Sequence, residues 1–107
     1  MPRKAMESLT ESMFYVLMVL RDGDKCGIDV AEAVEKRTNG RVQLGPATLY
    51  TILAKFEQVK YIAEISMVGR KRTYAILPRG LEAYYEELER LRRCVADAET
   101  REGGALQ

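Results

Sequence analysis

Apolar and polar positions along the chain fall into four helical stretches interrupted by one pair of strands. The first stretch, Met13-Phe14-Tyr15-Val16-Leu17-Met18-Val19-Leu20, is apolar throughout. A strand is the alternative reading of such a run. Thr10, however, is placed to cap a helix from about Glu11 to Arg21, Ser8 with Glu11 offers a second capping box, and Asp22-Gly23-Asp24 supplies a stop. Two methionines also favour helix. A helix that is apolar on every face must be covered all round. The pattern therefore predicts that one face packs its own domain and another packs a second subunit.

Ile28 to about Arg37 reads as a second helix, buried through Ile28, Val30, Ala31 and Val34 and ended by Thr38-Asn39-Gly40. The third opens at Gly45-Pro46, since proline loses nothing at a first helical position. It continues to about Val59 with Leu49, Ile52, Leu53 and Phe56 at i, i+3, i+4 and i+7. Tyr61 to Met67 and Thr73 to Leu77 are rich in β-branched and aromatic residues, and Val68-Gly69-Arg70-Lys71-Arg72 separates them, which predicts a hairpin with a basic tip. Beyond it Leu81, Tyr84, Leu88, Leu91, Val95 and Ala98 are spaced by threes and fours, with Tyr85 flanking. That is the seam of a coiled coil or an amphipathic helix lying on its own core. A dimer helix is the favoured reading, because the preceding elements have enough apolar faces to satisfy one another.

Three helices followed by a hairpin is the order of a winged helix-turn-helix. The expected fold class is thus mainly α with a small β-hairpin: a DNA-binding winged helix-turn-helix over residues 8–77, a dimerisation helix over 78–100 and a disordered tail over 101–107.

Composition narrows the function classes. With 47% apolar and 31% charged residues the chain is an ordinary globular sequence and not a disordered one. No apolar run approaches a membrane span, and Met1-Pro2-Arg3-Lys4 does not open a signal peptide, so a cytoplasmic protein with no membrane partner is expected. Histidine is absent, and Cys26 and Cys94 stand far apart outside any ligand cluster. No catalytic residue, metal site or cofactor is therefore expected, and both cysteines read as free thiols. Cys26, near the start of the second helix, is the one candidate for a dipole-lowered, redox-sensitive thiol.

The net charge of +1 conceals a segregation. Residues 1–35 carry four basic and seven acidic side chains, residues 36–79 nine and two, and residues 80–107 four and seven. A positive middle between acidic ends suits a middle that meets an anionic surface, although clustered cations are also common on a solvated face. On the third helix the apolar set turns inward and leaves Ala47, Thr48, Thr51 and Lys55 on the outer faces. Short side chains at Ala47 and Thr48 let the helix N-terminus approach DNA closely. Thr48 and Thr51 can bond to phosphate or base edges, and Ala47 can meet a thymine methyl. The bland alternatives are that Thr48 caps the helix and Tyr50 packs. Arg70, Lys71 and Arg72 at the hairpin tip suit phosphates or a narrow minor groove.

Over about residues 8–98 the chain resembles the PadR family of transcriptional regulators, in its short single-domain form. The resemblance is carried by Leu44-Gly45-Pro46-Ala47-Thr48-Leu49-Tyr50, similar to the family's recognition-helix opening, and by Gly69-Arg70-Lys71-Arg72-Thr73-Tyr74, similar to its wing. It implies that Pro46, Thr48 and Tyr50 lie at the DNA surface, with Tyr50 donating to a phosphate, and that Arg70 and Arg72 serve the wing. It also implies a homodimer built by the first and last helices, here through Phe14, Leu17, Leu81, Tyr84, Leu88, Leu91 and Val95. Such a dimer would bind an inverted-repeat operator and repress nearby genes. Because some members bind flat aromatic compounds between subunits, Phe14, Tyr15, Met18, Tyr84, Tyr85 and Leu88 are candidates for a small hydrophobic effector pocket, with plain packing as the simpler role.

Three departures stand out. Cys26-Gly27-Ile28 replaces the family's frequent His-Gly-Tyr and removes a possible phosphate contact. Lys60 stands where a glycine commonly ends the third helix, at a strain of about 1 kcal/mol if it turns left-handed. Leu77-Pro78 replaces a capping threonine. The leading expectation is a sequence-specific DNA-binding dimer. The alternative is a winged-helix module that binds protein without DNA specificity, which would lack the basic wing and expose apolar surface on the third helix. An enzyme has no supporting motif.

Overall fold

The computed structural model describes residues 8–100; the expected tail at 101–107 lies outside the described residues. Helix α1 spans Glu11–Arg21, strand β1 Lys25–Cys26, helix α2 Gly27–Arg37, helix α3 Pro46–Gln58, strand β2 Ile62–Val68, strand β3 Lys71–Ile76 and helix α4 Pro78–Glu99. This is the mainly helical winged helix-turn-helix expected, with boundaries within a few residues of the pattern.

Local chemistry explains the boundaries. The Thr10 hydroxyl accepts from the Met13 N–H at 3.1 Å and starts α1. At its other end the Lys25 ammonium donates to the carbonyls of Val19 and Gly23 at 2.8 and 3.2 Å, setting a cation against the negative end of the helix. Helices α2 and α3 close alike. Each ends on a left-handed residue, Asn39 (φ 53°) and Lys60 (φ 67°). The next N–H reaches back to the last turn, Gly40 to the Glu35 carbonyl and Tyr61 to the Phe56 carbonyl, both at 2.8 Å. Lys60 therefore does adopt the conformation in which its Cβ is strained.

The sheet corrects the sequence reading in two ways. It has three antiparallel strands in the order β1-β3-β2, because Lys25 and Cys26 pair with Tyr74 and Thr73. Two residues are too short to carry a period, so β1 leaves no pattern. The tip is also tighter than the five-residue separation predicted. Val68 pairs with Lys71, leaving Gly69-Arg70 as a two-residue turn with Gly69 at φ 61°. Glycine takes that angle without cost, and such a turn matches the twist of a hairpin. Lys71 and Arg72 accordingly belong to β3. A bulge at Ile65 interrupts the β2–β3 register.

Helix α1 lies at the centre, against α2, α4 and β3. Three neighbours within its own chain account for most of its apolar circumference. Val16, Leu17, Val19 and Leu20 join Val30, Val34, Leu53, Phe56 and Ile62 as the fully enclosed side chains of the core. Leu17, expected at a subunit boundary, is 0% exposed and meets only its own chain. Phe14 and Tyr84 are likewise buried, stacked on each other between α1 and α4. Along α4 the apolar stripe changes character: Leu81, Leu88 and Leu91 are half-buried against the domain, whereas Val95 and Ala98 are exposed, as is every residue from Arg92 to Thr100.

Candidate nucleic-acid interface

Helix α3 is anchored by Leu49, Ile52, Leu53 and Phe56, all buried. Its periodicity then leaves Pro46, Ala47, Thr48, Tyr50, Thr51 and Lys55 outside, and each is exposed. The helix starts from Gly45 without a side-chain cap. Its first N–H groups, and the positive end of its dipole, thus stand open beside short side chains, so Thr48 is not spent on capping. The turn that leads in is held by Thr38, whose hydroxyl donates to the Val34 carbonyl and accepts from the Val42 N–H at 2.9 and 3.0 Å.

The positive middle of the chain is not all available to a partner. Arg37 pairs with Asp22, and Arg41 donates to Glu11 and to the Tyr15 hydroxyl at 2.9 and 2.8 Å, bracing the turn before α3 on α1. In the wing, Arg72 lies 3.7 Å from Glu64, and its guanidinium is held above its ordinary range by Tyr74 and then by Glu64. Arg70, Lys71 and Lys55 make no ion pair among the described residues. All three are exposed.

Tyr50, the start of α2 and the wing converge. Cys26, Gly27, Ile28, Tyr50, Arg70, Lys71, Arg72 and Tyr74 line an open concavity of about 240 Å³. Strand β1 makes this possible, since its pairing to β3 brings the first turn of α2, which also lacks a side-chain cap, up to the base of the wing. Sequence reasoning placed Tyr50 and the three wing cations here but missed Gly27. It also read Ile28 as buried; the side chain is 60% exposed at the rim. Cys26 is buried and Cys94 exposed, and both are free thiols.

The sequence model of the transcriptional regulator PadR-like family matches residues 16–87, from the middle of α1 through the first turns of α4. The chain belongs to the PadR-like family. As a member of a family of transcriptional regulators it is a regulator and not an enzyme. Its fold is shared with a transcriptional regulator from Clostridium thermocellum, at TM-score 0.71 and 25% identity over 84% of this chain and 90% of that one. It is shared also with Bacillus subtilis PadR, solved in complex with operator DNA, at TM-score 0.63 and 19% identity over 71% of this chain and 45% of that one. An uncharacterized protein X from Lysinibacillus sphaericus is 29% identical over 77 residues, which are 68% of this chain and 70% of that protein. No helix among the described residues of this PadR-like chain is long and apolar enough to cross a membrane.

Proposed function

We propose that this PadR-like regulator is a cytoplasmic repressor that binds an inverted-repeat operator as a homodimer, α3 lying in the major groove and the wing on the adjoining backbone. One observation carries the reading: Tyr50, from the uncapped opening of α3, lines one concavity with Arg70 and Lys71, which make no ion pair among the described residues. On this reading Ala47, Thr48 and Thr51 meet base edges, Pro46 lies at the DNA surface without bonding to it, and Tyr50, Lys55, Arg70, Lys71 and Arg72 hold phosphates. A protein-binding winged helix would offer apolar surface there. The outer face of α3 instead carries the small Ala47 and Ala54, the hydroxyls of Thr48, Tyr50 and Thr51 and the cation Lys55.

Residues 8–77 serve as the DNA-binding domain and 78–100 as the dimerisation helix, whose apolar stripe runs on from the half-buried Leu81, Leu88 and Leu91 to the exposed Val95. Tyr15, Met18 and Leu88, half-buried, and Tyr85, 49% exposed, are the surfaces from which a partner subunit would complete a pocket for a small hydrophobic effector. Fluorescence anisotropy tests the reading, with duplexes selected by the chain from a random pool and with scrambled controls. Tight binding of the selected duplex that weakens steeply with salt is expected. Equal weak binding to both duplexes would overturn it.

A further inference from the structure

Glycine is a poor first residue for a helix unless something requires it, because it raises the entropic cost of ordering the turn. Gly27 opens α2, and its backbone angles are ones that any residue adopts, since the left-handed residues are all elsewhere. Conformation therefore does not explain it. Space does. A Cβ at position 27 would lie 2.7 Å from the Tyr50 hydroxyl oxygen and 3.0 Å from ring atoms Cε1 and Cζ. The Tyr50 ring is thus laid across the first turn of α2, in the room left by the missing side chain, with its hydroxyl at the concavity shared with Arg70 and Lys71.

Resting on the DNA-binding reading above, we propose that Gly27 is a positioning residue: it seats Tyr50 so that the hydroxyl reaches a backbone phosphate between α2 and the wing. The group a Cβ would strike is the far end of a flexible side chain. An added methyl therefore pushes the ring aside at little cost to the fold, while Tyr50, 47% exposed, has solvent into which to swing. The hydroxyl then loses its place beside the wing cations. Stability and binding should respond in opposite senses to the same substitution.

The test uses Gly27→Ala, Tyr50→Ala and the double variant, each titrated with the selected duplex and followed by thermal melting. In the wild-type background Gly27→Ala is expected to keep or slightly raise the melting temperature, as alanine favours helix, and to weaken binding about tenfold for each subunit, the worth of one hydrogen bond to a charged group, and so about a hundredfold for the dimer. On top of Tyr50→Ala it is expected to weaken binding no further. Undiminished binding by Gly27→Ala overturns the proposal. So does an equal loss in both backgrounds, which would place the effect in α2 itself, and so does a Gly27→Ala chain that fails to fold, which would mean that something rigid is struck. Nuclear magnetic resonance separates the two readings. A ring-current shift of the Gly27 Hα protons that disappears in Tyr50→Ala reports the seat without DNA. A wild-type chain showing that shift but binding no duplex overturns the DNA reading and, with it, the role given to Gly27.

Discussion

The Phe14 and Tyr84 rings lie stacked at 5.1 Å between centroids, 12° from parallel, and fasten the middle of α1 to α4. Tyr84 also meets Arg21, whose guanidinium sits 5.1 Å from the ring centroid and donates to the hydroxyl at 3.4 Å. Arg21 pairs in turn with Asp22 at 3.0 Å, and the second Asp22 oxygen accepts from Arg37 at the end of α2. A chain of contacts thus runs from α4 through α1 to the first helix of the helix-turn-helix.

That chain gives a pH dependence with a defined sign. Hydrogen bonding to Arg21, then the charges of Arg21 and Arg37, hold the Asp22 carboxyl below its usual range. A depressed folded-state value means that the contribution is complete above the unfolded value of about 3.9 and is lost as pH falls through the folded one. Melting temperatures recorded across the acid range should fall less steeply for Asp22→Asn than for wild type. Superimposable acid limbs would show that Asp22 contributes nothing.

Lys60 occupies a left-handed position that costs a side-chain-bearing residue about 1 kcal/mol. Lys60→Gly should relieve most of it. A full 1 kcal/mol is worth about 4–8 °C for a domain of this size, and with the backbone entropy that glycine costs the expected gain in melting temperature is about 2–5 °C. DNA affinity should hardly change, since Lys60 lies at the far end of α3 from its uncapped opening.

At Gly80 the opposite holds. A Cβ there would stand 2.2 Å from the Tyr61 carbonyl oxygen and 2.9 Å from Ile76 Cγ1. The same carbonyl accepts from the Leu77 N–H at 2.8 Å, so neither it nor α4 can retreat without breaking that bond. Gly80→Ala should cost about 1–3 kcal/mol by overpacking, measured by denaturant unfolding. Gly27→Ala, which meets only a movable ring, supplies the contrast.

Specificity and affinity should fail separately. Thr48→Ala or Thr51→Ala is expected to reduce discrimination between the selected and scrambled duplexes by about 1–3 kcal/mol for each base edge no longer read. Arg70→Ala or Lys71→Ala should weaken both duplexes alike and lower the salt slope by about 1 for each phosphate no longer neutralised. If the wing variants altered discrimination and the threonine variants did not, the assignment of the two groups would be reversed.

The exposed end of α4 predicts the assembly. Val95→Glu with Ala98→Glu places two charges on the exposed end of the stripe while leaving the Phe14–Tyr84 junction untouched. Sedimentation velocity should then show monomer where wild type shows dimer, with the melting transition largely retained. A variant that still sediments as a dimer would move the interface elsewhere.

The long elements were legible because their burial is periodic: Leu49, Ile52, Leu53 and Phe56 announce the inner face of α3 and so, by subtraction, its outer one. Thr10 and Pro46 mark starts for reasons local to them. What could not be read depends on partners distant in the chain. Strand β1 exists because β3 offers it an edge, and two residues leave no trace of that. Tyr84 and Val95 sit on one stripe, yet the first is core and the second exposed, a difference set by where the domain ends and not by spacing. Gly27 gave a signal, a glycine opening a helix with no turn to make, but its meaning lies in a ring that arrives from Tyr50.

The pairing of β1 with β3 has a mechanical consequence. The backbone that leads into α2 is also an outer strand of the sheet that carries the wing, so the base of the wing at Thr73 and Tyr74 cannot move without dragging the helix-turn-helix along. The chain is a caliper with its jaws pinned. On the DNA-binding reading, a duplex seated in it would come to that opening by its own bending and groove width, and sequences that deform easily would be favoured even at base pairs that no side chain touches.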